Sequence, residues 1–210
     1  MKKFVSTLNV LALCILLALS QAVHSKQEHS HLQDGDLIFQ TSRSSQSLAI
    51  QLATKSAYSH MGVILFKNSK PYVLEASATV RYTPLNKWIT QGNDGHYVVK
   101  RLKNASTQLT ATTTHKLHDE AKRFIGRPYD LTFEWSDNRI YCSELVWKLY
   151  DNALNIQIGK LQRLKEFNLS APAVKAKLKE RYGQNIPMQE VVISPEAMFN
   201  SVLLMLVIKK

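Results

Sequence analysis

Two cysteines occur in the 210 residues, Cys14 and Cys142. Cys14 lies in the apolar run Leu11-Ala12-Leu13-Cys14-Ile15-Leu16-Leu17, within a segment that reads as an export signal. Export with cleavage leaves Cys142 as a single thiol with no intramolecular partner. Disulfides form readily outside the cytoplasm, so a lone cysteine in an exported chain marks a candidate reactive thiol. Cys142 stands at the front of Ile140-Tyr141-Cys142-Ser143-Glu144-Leu145-Val146-Trp147, with Leu145, Val146, Leu149 and Tyr150 apolar at helical spacing. A thiol in the first turn of a helix feels the positive end of the macrodipole, which favours the thiolate, the reactive form. The competing reading is that Cys142 simply packs in the core, as free cysteines commonly do.

A cysteine nucleophile needs a base, and the base needs a group to orient its ring. Histidine is the usual base because it titrates near neutral pH. His60 and Glu75 supply both from one hairpin. The segments Ser59-His60-Met61-Gly62-Val63-Ile64-Leu65-Phe66 and Pro71-Tyr72-Val73-Leu74-Glu75-Ala76-Ser77 flank the polar turn Lys67-Asn68-Ser69-Lys70. A two- or four-residue loop centred on Asn68 and Ser69 pairs residues whose numbers sum to 137. His60 then faces Ser77, with Glu75 its diagonal neighbour on the same face. A three-residue loop puts the two on opposite faces, because strand side chains alternate. His96, at a strand start, is the rival base. Oxyanion donors would come from the Cys142 N–H and the Tyr58 or Tyr141 hydroxyl. In the loop before Cys142, Tyr129, Phe133 and Trp135 would line a substrate groove or cover the core. Asp130, Glu134 and Asp137 there would recognise an amine or cap the loop.

The elements that position these groups read as follows. A turn at Asp34-Gly35 leads into a strand at 36–40, then a hydroxyl-rich loop and a helix at 46–54. After the hairpin, 80–88 reads as a connection and 91–95 as a loop, followed by a strand at 97–102. A helix is expected at 107–125, stopped by Gly126-Arg127-Pro128, with His115 and His118 exposed and uninvolved. After the Cys142 helix, 160–182 reads as helical with a break near Pro172. Ser194-Pro195-Glu196 opens a short helix, and the apolar run 202–208 reads as a buried strand.

Length and composition suit one globular domain at 26–210 with a substantial core. Residues 1–25 read as a signal peptide: Lys2 and Lys3, an apolar run to Ala18, and a small-residue site at Ser20-Gln21-Ala22. That run is short for a membrane span, so no transmembrane segment is expected in the mature chain. Cleavage removes two lysines from a formal charge of +11. In an exported protein such a charge suits anionic envelope material or a solvated basic face. No nucleic-acid-binding signature is present. His29 and His31 form a lone His-x-His pair in a polar leader with no further ligand nearby, so no metal or cofactor is expected.

The motifs Gly35-Asp36-Leu37-Ile38-Phe39, Tyr58-Ser59-His60-Met61-Gly62-Val63, Leu74-Glu75-Ala76, Gly126-Arg127-Pro128-Tyr129-Asp130 and Tyr141-Cys142-Ser143-Glu144-Leu145-Val146 resemble the YiiX-type branch of the permuted papain-like cysteine hydrolases, relatives of the NlpC-type cell-wall peptidases. The resemblance runs from Gly35 to about Phe199. It implies an α+β, circularly permuted papain-like fold, an antiparallel sheet packed against the helix that carries the nucleophile. It also implies Cys142 as nucleophile, His60 as base, Glu75 as orienting residue, and amidase or peptidase chemistry through a thioester. The expectation is an exported, periplasmic thiol amidohydrolase acting on peptide or amide-bearing envelope material. A lipid esterase or acyltransferase and a non-catalytic envelope-binding module are the alternatives.

Overall fold

The computed structural model describes residues 31–210. The signal peptide expected at 1–25, Cys14 and His29 lie outside the described residues. Residues Gln33–Lys210 form one compact unit.

The chain enters through β1 (Asp36–Gln40) and helix α1 (Ser47–Thr54), then makes the hairpin β2 (His60–Lys67) and β3 (Lys70–Ala76). Asn68 and Ser69 take φ of 50° and 59°. Positive φ at both central residues is the two-residue turn whose twist matches paired strands. It sets Val63 opposite Leu74 and Ile64 opposite Val73, the register that sums to 137. Gly62 is required here: a Cβ on it would stand 2.4 Å from Val73 Cγ1 and 2.6 Å from the Leu74 carbonyl oxygen.

The stretch 80–88, expected as a connection, is structured. Val80–Pro84 is strand β4 and Leu85–Thr90 is helix α2. β4 forms the outer edge of the sheet, where Pro84 is tolerated because an edge strand needs no donor on its free side. Reading 80–88 as a connection hides a strand that pairs Arg81 with Glu75.

Next come β5 (Val98–Leu102), α3 (Ala105–Gln108) and α4 (Ala111–Phe124). The expected helix at 107–125 is therefore two. Thr110 breaks the run by capping α4, its hydroxyl accepting from the Thr113 N–H. His118 and His115 are not idle either: they pair with Asp34 and Asp119, each at 2.9 Å.

Helix α5 (Cys142–Leu154) lies across β2 and β3 and against α4. Leu145, Val146 and Leu149 on it have no exposed surface. Burying each contributes roughly 1.5–3 kcal/mol, which anchors the helix that begins with Cys142. β6 (Gln162–Arg163), α6 (Pro172–Tyr182), β7 (Val191–Val192), α7 (Pro195–Phe199) and β8 (Leu204–Lys209) complete the chain. Of 160–182, Leu164–Glu166 is a single 3-10 turn and only the part from Pro172 onwards is α-helical, since the proline at its first turn starts a helix and ends none.

The main sheet runs β4-β3-β2-β1-β5-β8, antiparallel throughout, and β6 pairs with β7 separately. The 202–208 run was expected to be a buried strand. It is instead the opposite edge, with Leu204 buried and Met205 and Leu206 exposed. Met61 to Leu65 of β2 are buried on both faces of the sheet. Leu37, Phe39, Met61, Val63 and Leu74 join α5 in the main core. The architecture is α+β with an antiparallel sheet packed against the Cys142 helix.

Candidate active site

Cys142 is the first residue of α5 and is buried. Its N–H lies outside the i→i−4 ladder, so it faces the site unpaid by the helix. Both neighbours hold this helix start in place through one residue. The Ser143 hydroxyl donates to the Ile193 carbonyl at 2.8 Å, and the Ile193 N–H donates to the Tyr141 hydroxyl at 3.0 Å. Tyr141, an oxyanion candidate, lines the groove beside Cys142, and the Ile193 N–H donated to its oxygen ties it to the backbone next to β7.

His60 opens β2. Its Nε2 lies 2.7 Å from Glu75 Oε2, which leaves Nδ1 for Cys142. Burial alone would strip the proton from His60. Hydrogen bonding to Cys142 and Glu75, and their charges, outweigh it and push the imidazole up to about 10. Burial also works against the Glu75 carboxylate. The His60 hydrogen bond and charge, then Thr83 and Arg81, reverse this and hold it below its ordinary value. The pair is thus an imidazolium and a carboxylate, and an imidazolium beside sulfur is the setting that favours a thiolate.

Three site residues escaped the sequence reading, all from 80–88. Thr83 Oγ1 donates to Glu75 Oε1 at 2.6 Å, and Arg81 Nε stands 3.6 Å from the same oxygen. The β4 register makes this inevitable: Arg81 pairs with Glu75, and Thr83 is two residues further on the same face. Trp88 on α2 stacks on the His60 ring at 5.7 Å with the planes 26° apart, an arrangement that suits a cationic imidazole. The alternation Val80-Arg81-Tyr82-Thr83 was the available signal.

A groove with an empty volume of about 760 Å³ opens beside Cys142 between α1, α6 and the loop before α5. Its walls are mainly apolar, including Ile50, Ala53, Val174 and Leu178, with Lys177 and Arg181 as its charged residues. Tyr129 and Phe133 line it, as one of the two readings expected. Trp135 packs edge-on against Trp147 instead, at 5.2 Å. Tyr58, another oxyanion candidate, stacks on Phe199 at 4.2 Å and is not part of the groove. Asp130 is buried and turned into its own loop, accepting from Thr132 N, Thr132 Oγ1 and Glu134 N. It caps the loop and does not reach a substrate. Asp137 pairs with Lys148 at 2.9 Å, and no acid lines the groove. Asp130, Glu134 and Asp137 are thus absent from the groove's walls.

Glu144, two residues after Cys142, is buried, accepts from the Tyr141 N–H at 3.4 Å and pairs with Lys148 Nζ at 2.8 Å. Burial, opposed by Lys148, pushes it up to about 7.

Comparison with known proteins identifies the family and the fold. The family model described as "Permuted papain-like amidase enzyme, YaeF/YiiX, C92 family" matches residues 31–207. The protein YiiX of Escherichia coli (strain K12) is 56% identical over 169 residues, 80% of this chain and 82% of its own length. A crystal structure described as the metalloprotein yiiX of Escherichia coli O157:H7 superposes with a TM-score of 0.82 at 55% identity, covering 86% of this chain and 98% of its own.

Proposed function

The chain belongs to the permuted papain-like amidases of the YaeF/YiiX type, a family of cysteine hydrolases, and from that premise we propose that Cys142, His60 and Glu75 cleave an amide through a thioester. The observation that carries this is the 2.7 Å His60–Glu75 bond on a hairpin whose imidazole also engages Cys142 at a helix start.

The steps follow from the geometry. The Cys142 thiolate attacks the substrate carbonyl carbon, and the carbonyl π pair moves to oxygen. The His60 imidazolium gives its Nδ1 proton to the departing amine nitrogen as the C–N bond breaks, leaving a thioester. Neutral His60 then takes a proton from water, whose oxygen attacks the thioester. The acid departs, and the thiolate–imidazolium pair is restored. Glu75 holds the ring throughout and stabilises its charge. For the oxyanion we take the Cys142 N–H and the Tyr129 hydroxyl as donors, both residues lining the groove. Burial pushes the Tyr129 hydroxyl far up, so it stays protonated and able to donate.

The name metalloprotein belongs to the O157:H7 relative. Among the described residues here no cluster of three His, Cys, Asp or Glu is placed to hold a metal ion, and no step above runs through one.

We assign the work to the cell envelope, on amide-bearing peptide material reached after export by the 1–25 signal. Among the described residues no helix is long and apolar enough to cross a membrane. A second reading, ester cleavage or acyl transfer on a lipid by the same triad, draws support from the apolar groove without acids. Assaying the full chain and Cys142→Ala against a wall-type peptide amide, an N-acyl amide and phospholipid vesicles separates these. The triad reading requires that Cys142→Ala lose all such turnover. Retained turnover sinks it, and release of fatty acid from vesicles alone moves the lipid reading to the front.

A further inference from the structure

Three residues from three separate elements form a chain that ends at the groove. Arg181, on α6, donates through Nη2 to Gln46 Oε1. Gln46, at the start of α1, donates through Nε2 to the Tyr129 hydroxyl at 2.7 Å. Tyr129 lies in the loop before α5, pinned beside Ile140 by a parallel bridge two residues ahead of Cys142. We propose that Gln46 is a positioning residue that aims the Tyr129 hydrogen at the developing oxyanion, its amide orientation fixed by Arg181. This rests on the reading of Cys142 as the nucleophile.

The direction of the chain follows from the inventory of donors and acceptors. A guanidinium only donates, so Gln46 must present its carbonyl to Arg181. Its NH₂ group then has to face Tyr129, and the Tyr129 oxygen has to accept. The hydroxyl has a single hydrogen, and that hydrogen is left over. Among the described residues Tyr129 donates to none, and Tyr129 lines the groove together with Cys142. Negative charge on Cys142 raises Tyr129 further, which places the two within electrostatic reach. Arg181 is itself fixed, with its guanidinium 4.8 Å from the centre of the Phe133 ring. Without Arg181 the Gln46 amide is free to turn over. Its carbonyl would then capture the Tyr129 hydrogen, and the donor would be lost with every heavy atom in place.

That logic makes Gln46→Glu the decisive variant. It keeps the side-chain shape and the Arg181 contact, but a carboxylate only accepts, so the Tyr129 hydrogen turns to it. Gln46→Leu removes both partners and leaves the hydroxyl free to rotate towards the substrate. With p-nitrophenyl octanoate as probe, Gln46→Glu and Tyr129→Phe should each lower kcat on the order of 10²–10³-fold, the usual cost of one oxyanion donor. Gln46→Leu should lose less than Gln46→Glu, although it is the poorer isostere. The double variant Gln46→Glu with Tyr129→Phe should lose no more than either single one. Iodoacetamide alkylation of Cys142 builds no oxyanion, so its rate should stay within about twofold in all of them.

Turnover by Gln46→Glu at the wild-type rate overturns the proposal. So do multiplicative losses in the double variant, Gln46→Leu falling below Gln46→Glu, or alkylation falling in step with turnover. Wild-type turnover no faster than Cys142→Ala overturns the hydrolase reading itself, which the other outcomes leave standing.

Discussion

Thr83 gives its hydroxyl hydrogen to Glu75 Oε1 at 2.6 Å, on the carboxylate oxygen opposite the one that holds His60. Each oxygen of a fully buried carboxylate thus has a committed donor, and β4 exists at this edge to supply one of them. Thr83→Val keeps the shape and removes the donor. Leaving a buried acceptor unmet costs about 1–3 kcal/mol, so chemical denaturation should show a loss of that size. Glu75 also loses a hydrogen bond that holds its carboxyl down, so the acid limb of the pH–stability profile should move to higher pH. A Thr83→Val protein with unchanged stability and profile would remove β4 from the site.

The pH dependence has a definite sign. His60 is pushed up to about 10 from its ordinary 6.5. Its contribution to stability is therefore fully present below 6.5 and is lost as pH rises through about 10. Glu75 is held below its ordinary 4.5, so its contribution is present above 4.5 and is lost as pH falls through the lowered value. Between these limits the pair stays charged, and Cys142 alkylation at neutral pH should depend on His60. His60→Gln keeps a donor for Glu75 and so avoids stranding a buried charge. In it, alkylation should climb with pH around an ordinary thiol's pKa of about 8.5. Parallel profiles for the two proteins would show that Cys142 is structural.

The two-residue turn explains why the His60–Glu75 pairing was legible. Asn68-Ser69 fixes the parity of the hairpin, and parity alone decides whether His60 and Glu75 share a face. The helix start at Cys142 was legible from Leu145, Val146, Leu149 and Tyr150, all of which are buried. Long-range side-chain pairing was not. Nothing local distinguishes an Asp that caps its own loop from one that meets a substrate, and Asp130 proved to be the former. Likewise, Tyr141 and Tyr129 are equivalent in the sequence. Each oxygen accepts one N–H, but Tyr141 takes it from the Ile193 backbone and Tyr129 from the Gln46 side chain, so only the structure separates a tyrosine tied to the backbone from one tied to a side chain that could turn.

That difference between the tyrosines is measurable without any assumption about the oxyanion. Tyr141→Phe leaves the buried Ile193 N–H without its acceptor, at a cost of about 1–3 kcal/mol. The loss should appear as lowered thermal stability, with turnover per folded molecule reduced less than in Tyr129→Phe. If Tyr141→Phe is as stable as wild type but far less active, the oxyanion assignment moves from Tyr129 to Tyr141.

The groove makes its own demand on the substrate. Its apolar walls continue from Cys142 between α1 and α6, where an acyl group attached to the nucleophile would lie. Each methylene buried there adds about 0.8 kcal/mol to binding, so wild type should prefer p-nitrophenyl octanoate to the acetate. Ala53 faces the groove from α1, and Ala53→Trp would fill it at a helix-propensity cost below about 0.7 kcal/mol. Its kcat/KM for octanoate should fall at least tenfold, while that for acetate, which reaches only the triad, stays within about twofold. The ratio of the two rates is the informative quantity, because damage to the triad would lower both alike. An unchanged ratio would place the acyl group outside the groove, and the apolar walls would then belong to the packing of α1 against α6.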